Sequence, residues 1–397
     1  MGLNDTPSAE RLHIGFFGMR NAGKSSIVNA VTGQELSVVS DVKGTTTDPV
    51  YKAMELLPMG PVVIIDTAGY DDTGALGALR VQKTMQALNR CDCAVLIIDG
   101  TIGKQSQDSA METQFRQKGI PFLIVYNKAD CFDTVYPDGI TVSAYDSVDM
   151  YTLKETIAAL IKSDTATKKI IGDKLNPGDT AVLVVPVDSA APKGRLILPQ
   201  QQTIRDILEA DAQAFVVKEN GLSSALTELT KKPAVVITDS QVFGKVSAVT
   251  PDDVLLTSFS ILMARYKGFL VPAVRGAAAL KKIKTGDRIL ISEGCTHHRQ
   301  CEDIGTVKLP GWIRRFTGAE PKFEFSSGRD FPAALDTYKL IIHCGGCMLN
   351  EREMRYRMQT AQDYGVPFTN YGTVIAYMHG VLKRSLQIFP EIASTIE

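Results

Sequence analysis

"HIGFFGMRNAGKSSIVNAVTG", residues 13–33, reads as an apolar strand, a glycine-bearing turn and an amphipathic helix. Within it, Gly18-Met19-Arg20-Asn21-Ala22-Gly23-Lys24-Ser25 satisfies the spacing G-x-x-x-x-G-K-[ST]. Backbone amides of such a loop wrap a β-phosphate at a helix N-terminus, and the lysine adds a point charge. The serine hydroxyl is a ligand for Mg²⁺. Gly18, Asn21, Gly23, Lys24, Ser25 and the following Ser26 are therefore the first candidates for a phosphate site.

Further strand ends carry matching chemistry. "PVVIIDTAGY" closes an apolar strand with Asp66-Thr67-Ala68-Gly69, an aspartate suited to the Mg²⁺ water shell and a glycine amide suited to a γ-phosphate. The threonine-rich "KGTTTDP" between them offers Thr46 as a second hydroxyl for the metal. "IPFLIVYNKAD" ends in Asn127-Lys128-Ala129-Asp130, and a carboxylate at Asp130 accepts from guanine N1–H and the exocyclic amine, a donor pair adenine lacks. Ser143-Ala144 in "TVSAY" places backbone where guanine O6 would lie.

Five motifs in this order resemble the translation-factor-related GTPases, nearest to the Era/TrmE type. The resemblance implies a P-loop GTPase domain over residues 1–170 that binds GTP and GDP with Mg²⁺, with Lys24, Asn21, Thr46, Asp66 and Gly69 as its catalytic set. Tyr70 stands where Ras-like enzymes carry a water-positioning glutamine, and a phenol offers no such amide. Asn21 falls where the TrmE type holds a potassium ion, and "GTTTD" is similar to that family's switch, so a slow, K⁺-stimulated hydrolysis is expected.

Composition narrows the class. The 397 residues carry 43 Lys and Arg against 44 Asp and Glu, a net charge of −1, and no charge block that suggests a nucleic-acid groove or membrane anchor. Apolar runs such as "CAVLII" fall well short of the roughly 18 residues a spanning helix needs, and no secretion signal is evident, so a cytoplasmic protein with no nucleic-acid or membrane partner is expected. The seven cysteines are an odd number without a secretory context, which argues against a disulfide framework. Cys91, Cys93 and Cys131 read as inert small residues.

A polar stretch, "TATKKIIGDKLNPGDT", leads into residues 171–265, where strands alternate with helices in the manner of a small parallel α/β sheet. No ligand cluster is evident there, and a packing or self-association role is the reading. "VDSAAPKGRLILP" reads as a strand-connecting loop and "VPFTNYGTVIAYMHG" as helix core.

Residues 266–397 change the pattern again. Cys295, His297, His298 and Cys301 follow one apolar strand, and His343, Cys344 and Cys347 follow another in "YKLIIHCGGCMLN". Strand ends are where α/β sheets place ligands. A lone C-x-x-C suits a redox pair, a zinc knuckle or an iron–sulfur site. The redox pair leaves Cys295-Thr296-His297 unexplained, and zinc stays open because Cys₃His is a sound tetrahedral set.

Cys-x-His followed by His-Cys-x-x-Cys, behind an Era-like GTPase domain, resembles the FeFe-hydrogenase maturation GTPase (HydF) family across the whole chain. The fold this implies is α/β in three domains: a P-loop GTPase sheet, a small dimerisation domain and a cluster-binding domain. The resemblance further implies a 4Fe–4S cluster on Cys295, Cys344 and Cys347, with His297, His343, Glu302, Asp303 or water at the fourth iron. The implied function is a scaffold and carrier that completes a transient di-iron precursor with two radical-SAM maturases and delivers it to apo FeFe-hydrogenase, working as a homodimer. The competing expectation is a cluster- or zinc-containing regulatory GTPase of the TrmE/Era type, acting in RNA modification or redox sensing.

Overall fold

The computed structural model describes residues 6–34, 48–70, 75–162, 168–186, 196–294, 304–328, 330–332 and 334–394. Two compact units divide the chain, Met1–Ala166 and Thr167–Glu397.

The first unit is built on six strands: β1 (Leu12–Gly18), β2 (Val50–Leu56), β3 (Gly60–Asp66), β4 (Cys93–Asp99), β5 (Phe122–Asn127) and β6 (Ile140–Thr141). Their order is β2-β3-β1-β4-β5-β6, with β2 antiparallel to β3 and the rest parallel. Successive strand residues point to opposite faces. Ile14, Phe16, Ile64 and Ile97 accordingly pack in one core, with Val28 and Val31 of the helix Lys24–Thr32 and Leu153 of Ser147–Lys162. Phe17, Ile65, Leu96 and Ile98 pack in the other, with Leu88 of the helix Ala75–Leu88 and Phe115 of Ser106–Gln117. A parallel sheet covered on both faces explains why these strands are near-continuous apolar runs rather than alternating ones. Strand order reverses at β1, which lies between β3 and β4, so the crevice beyond its carboxyl end is where such a sheet binds ligands.

The second unit holds two four-stranded parallel sheets. One is ordered β10-β9-β7-β8, from β7 (Thr180–Val184), β8 (Gln213–Val217), β9 (Val235–Thr238) and β10 (Leu255–Ser258). The other is ordered β12-β11-β13-β14, from β11 (Arg288–Glu293), β12 (Lys322–Ser327), β13 (Leu340–His343) and β14 (Phe368–Asn370). One continuous apolar core serves both, joining Val236 and Ile237 to Ile291 and Ile342 through Phe259, Phe269 and Phe368. The expected boundary between residues 265 and 266 falls inside this unit, in the helix Phe259–Tyr266 and its cap.

Two local readings are corrected. "RLILP" does not remain loop to its end: a helix starts at Leu198 with Pro199 in its first turn, where the missing amide costs nothing. "VPFTNYGTVIAYMHG" is not all helix, since Phe368–Asn370 form β14 before the helix Tyr371–Met378 begins. The Asn370 side chain accepts from the Thr373 amide at 2.8 Å and so starts that helix. Among the described residues no helix is long and apolar enough to cross a membrane.

Candidate functional site

Four strand ends of the first unit converge on one crevice. Parallel register sets Phe16 beside Asp66, Gly18 beside Ile97 and Asp99 beside Asn127, so the candidate residues leave their strands at a common level. Thr67 fixes β3 to β1 by donating its hydroxyl to the Phe16 carbonyl at 2.8 Å.

The loop from Gly18 to the helix Lys24–Thr32 passes through left-handed backbone at Asn21 (φ 62°) and Gly23 (φ 82°). At Gly23 a Cβ would stand 2.1 Å from the Asn127 amide nitrogen, so only glycine fits. That nitrogen donates to the Ala22 carbonyl at 3.0 Å, which ties the two motifs together. Lys24 lays its ammonium on the Asp66 carboxylate, and Ser25 and Ser26 occupy the helix's first turn. Gly69 lies just beyond β3, while Thr46 is outside the described residues.

A cavity of about 600 Å³ is lined by Ala129, Asp130, Ser143, Tyr145 and Asp149 among others. Ser143 donates its hydroxyl to Asp130 at 2.7 Å, and this bond holds the Asp130 carboxyl below its ordinary range. An ionised Asp130 is an acceptor for paired N–H donors. Buried Asn127 Oδ1, at the end of β5, has no hydrogen-bond partner. Lys128, at φ 70°, reaches Asp99. Burial works to raise the Asp99 carboxyl, but hydrogen bonds from Lys128 and Thr101 hold it below the usual value. Ala144 packs against the core of the first unit. Tyr70 turns inward, its hydroxyl 2.6 Å from Asp108 and its side chain 8% exposed. The oxygen-rich set of Ser25 and Asp66 at a helix start suits a hard cation such as Mg²⁺.

In the second unit β11 and β13 are neighbours, with Ser292 paired to His343. The ladder continues as the Cys344 amide donates to the Ser292 carbonyl at 2.9 Å. Two backbone amides then aim at Cys344 Sγ, from Gly294 at 3.1 Å and Gly346 at 3.4 Å. Amides directed at a thiolate sulfur are the arrangement that supports an iron–sulfur ligand. Gly346 sits at φ 64°, and a Cβ there would meet Met354 Sδ at 2.5 Å. Cys344 and Cys347 are partly exposed. Burial pushes the Cys347 thiol upward, with the positive charge of Lys267 working against it. Soft sulfur donors with amide support fit an iron–sulfur or a zinc centre. Cys295, His297, His298, Cys301, Glu302 and Asp303 lie outside the described residues, and among those described no three His, Cys, Asp or Glu side chains converge as a metal site.

His343 is fully buried. Arg357 Nη1 donates to its Nε2 at 3.1 Å; arginine has no acceptor, so the ring proton sits on Nδ1, which donates to the Cys344 carbonyl at 2.9 Å. Burial first, and the Arg357 charge second, push its pKa down to about 3. Both nitrogens are thus hydrogen-bonded at the strand end.

The residues that sequence reasoning missed are the buried cations. Arg357, fully buried, binds Glu353 at 2.8 Å, Ser292 at 3.3 Å and the Gly328 carbonyl at 2.7 Å, so it gathers the ends of β11, β12 and β13. Lys267, 4% exposed, donates to the carbonyls of Gly346 and Leu349 on either side of Cys347. In sequence both look like surface charges: Arg357 is an i,i+4 partner of Glu353, and Lys267 precedes a glycine at a helix end.

Comparison with known proteins agrees with this division of chemistry. The 50S ribosome-binding GTPase family model matches residues 13–128. The hydrogen maturase F dimerization domain matches 170–268, and its tetramerization domain matches 271–388. The tRNA modification GTPase MnmE of Laribacter hongkongensis is 36% identical over 122 residues, 30% of this chain and 27% of that protein. GTPase Der of Kosmotoga olearia is 32% identical over 139 residues, 34% of this chain and 31% of that one. The chain therefore spans less than a third of the length of these curated relatives. Among solved structures, Era of Aquifex aeolicus bound to GDP and aluminium fluoride aligns at 18% identity and a TM-score of 0.33, over 52% of this chain and 93% of that one. The two maturase-specific domains, following one another behind an Era/TrmE-like GTPase domain, place this chain in the hydrogen maturase F family.

Proposed function

We propose that the chain is a GTP-hydrolysing scaffold and carrier of FeFe-hydrogenase maturation. On this reading it holds a 4Fe–4S cluster on Cys295, Cys344 and Cys347, accepts a di-iron precursor there, and hands it to the apo-hydrogenase. The observation that carries the reading is the Gly294 amide 3.1 Å from Cys344 Sγ. It brings the strand end that continues into Cys295 against the C-x-x-C loop, in a chain whose other unit has a guanine-nucleotide crevice.

At the nucleotide, Lys24 leaves Asp66 to meet the β- and γ-phosphates, the Gly69 amide receives the γ-phosphate, and Asp130 selects guanine. Mg²⁺, held by Ser25 and Thr46, supplies charge neutralisation at the phosphates. Tyr70, bonded to Asp108, orients no water, which fits a slow enzyme. Potassium at Asn21 supplies the missing positive charge; hydrolysis faster in KCl than in NaCl at matched ionic strength is expected, and equal rates remove this element. The cluster, when bound, supplies an open iron coordination position for the incoming precursor.

Self-association suits the domains the chain carries. β8 is an edge strand with Phe215 and Val216 40% and 44% exposed, a surface consistent with a homodimer in the cytoplasm. The two radical-SAM maturases and the hydrogenase are the partners, and nucleotide state governs their exchange. Anaerobic purification with iron, sulfide and zinc analysis tests the centre, and zinc in place of iron and sulfide supports the regulatory reading instead. Co-expression with apo-hydrogenase and the other maturases tests delivery: the wild-type chain should restore hydrogen evolution and Cys344→Ser should not.

A further inference from the structure

Lys267 is the C-terminal cap of the helix Phe259–Tyr266, and it belongs to the stretch matched by the dimerization domain. Its ammonium nevertheless serves the neighbouring domain. It is 4% exposed and donates to the carbonyls of Gly346, directly before Cys347, and Leu349, two residues after it. Desolvating an ammonium costs several kcal/mol unless its surroundings offset the loss. A loop that needed only a tether would be served by a neutral donor.

We infer that Lys267 is a positioning residue of the iron–sulfur site: it holds the loop around Cys347 through two carbonyls and places a buried positive charge beside the thiolates, which raises the reduction potential of the cluster. The inference rests on the proposed cluster at Cys344 and Cys347. One-electron reduction adds one negative charge to the centre, and cluster potentials follow local net charge and solvent exposure. In a low-dielectric surrounding a nearby cation stabilises that added charge more than it would in water. Arg357 provides a control, because it and Glu353, paired at 2.8 Å, can be removed together with no change of net charge.

The test uses the full-length protein, reconstituted anaerobically with iron and sulfide and titrated with dithionite while the reduced cluster is followed by electron paramagnetic resonance. Lys267→Gln keeps a donor and removes the charge; its cluster should be at least tenfold harder to reduce, a shift of about 59 mV to more negative potential for a one-electron couple. Lys267→Arg should return to within a small fraction of that shift. The double variant Glu353→Gln/Arg357→Met removes both members of the neutral pair and should move the potential far less than Lys267→Gln does. Should Lys267→Gln not fold, Lys267→Met reads the same quantity. If a folded neutral variant retains no cluster while Lys267→Arg does, the loss of iron reports the same charge requirement. A wild-type cluster whose potential is unmoved in the neutral variant overturns the inference alone, as does equal loss of iron in Lys267→Gln and Lys267→Arg. A wild-type chain that takes up no iron and sulfide overturns the proposed cluster and the inference with it.

Discussion

In the first unit the phosphate loop grows from the carboxyl end of β1, and most of the residues that shape it lie between Gly18 and Ser26, with the distant Asn127 side chain bonded to it. In the second unit the cysteine loop grows from the carboxyl end of β13, but its supports come from Ser292, Gly294, Lys267 and Arg357, scattered over ninety residues of chain. Both loops exploit the same property of parallel sheets, whose strand ends open onto a common crevice. They differ in what holds them. The phosphate loop is shaped by backbone conformation that glycine and asparagine adopt locally, at Gly23 and Asn21. The cysteine loop is shaped by buried charges that mean nothing until the sheet has formed.

That contrast can be broken at either loop. The largest effect is expected at the nucleotide. Asp130→Asn removes the paired acceptor, and GDP affinity measured with a fluorescent analogue should fall about 100-fold, or about 2.7 kcal/mol. Xanthosine diphosphate, which offers a carbonyl where guanine has its amine, should recover part of the loss. An unchanged GDP affinity separates Asp130 from base recognition.

At the cysteine loop two adjacent glycines should behave differently. Gly346→Ala forces a Cβ into Met354 at a left-handed backbone position and should destabilise the apo-protein by about 2 kcal/mol in denaturant unfolding. Gly345→Ala meets nothing within 4 Å and should stay within about 0.5 kcal/mol of wild type. Equal costs at the two positions would show that the loop is not held in the described conformation.

A smaller change separates stability from catalysis in the first unit. Tyr70→Phe deletes the hydroxyl bound to buried Asp108 and should cost about 1–2 kcal/mol of stability. Its GTP hydrolysis rate per folded molecule should stay within about twofold. A rate falling together with stability gives Tyr70 a part in the chemistry.

The smallest effect is a slope. The pKa of His343 is pushed down to about 3, so below its ordinary value of 6.5 the unfolded chain takes up a proton that the folded one refuses. Stability from this group is fully present above 6.5 and falls as the pH drops towards 3. From pH 6.5 to 5.5 the loss should approach about 1 kcal/mol. His343→Gln should flatten that slope in the second unit's unfolding transition, and an identical slope assigns the pH dependence to other groups.

Reading residues 13–130 in order was enough to place the crevice of the first unit, because each motif there follows a short apolar run that can only be a buried strand. The C-x-x-C and its preceding histidine were equally visible. Their supports were not. Arg357 looks like one more charge on a polar helix, and only its 0% exposure turns it into the clasp of three strand ends. His343 was open as a ligand or a support on sequence grounds, and in the structure both its nitrogens are hydrogen-bonded, to the Cys344 carbonyl and to Arg357. β14 was missed because three residues give too short a period to distinguish from the helix that follows.

The sequence by itself determined the strand-and-loop grammar of the nucleotide crevice, the two cysteine-bearing strand ends and the family to which they point. Those features depend on local backbone preference and on hydrophobic period, which a linear reading preserves. Only the tertiary structure decided that the two sheets of the second unit share one core, that His343 faces Arg357, and that the ammonium of Lys267 lies beside Cys347. Each of these depends on residues far apart in the chain being desolvated together. The cost and the worth of a buried charge are set by that shared environment, which no spacing of residues records.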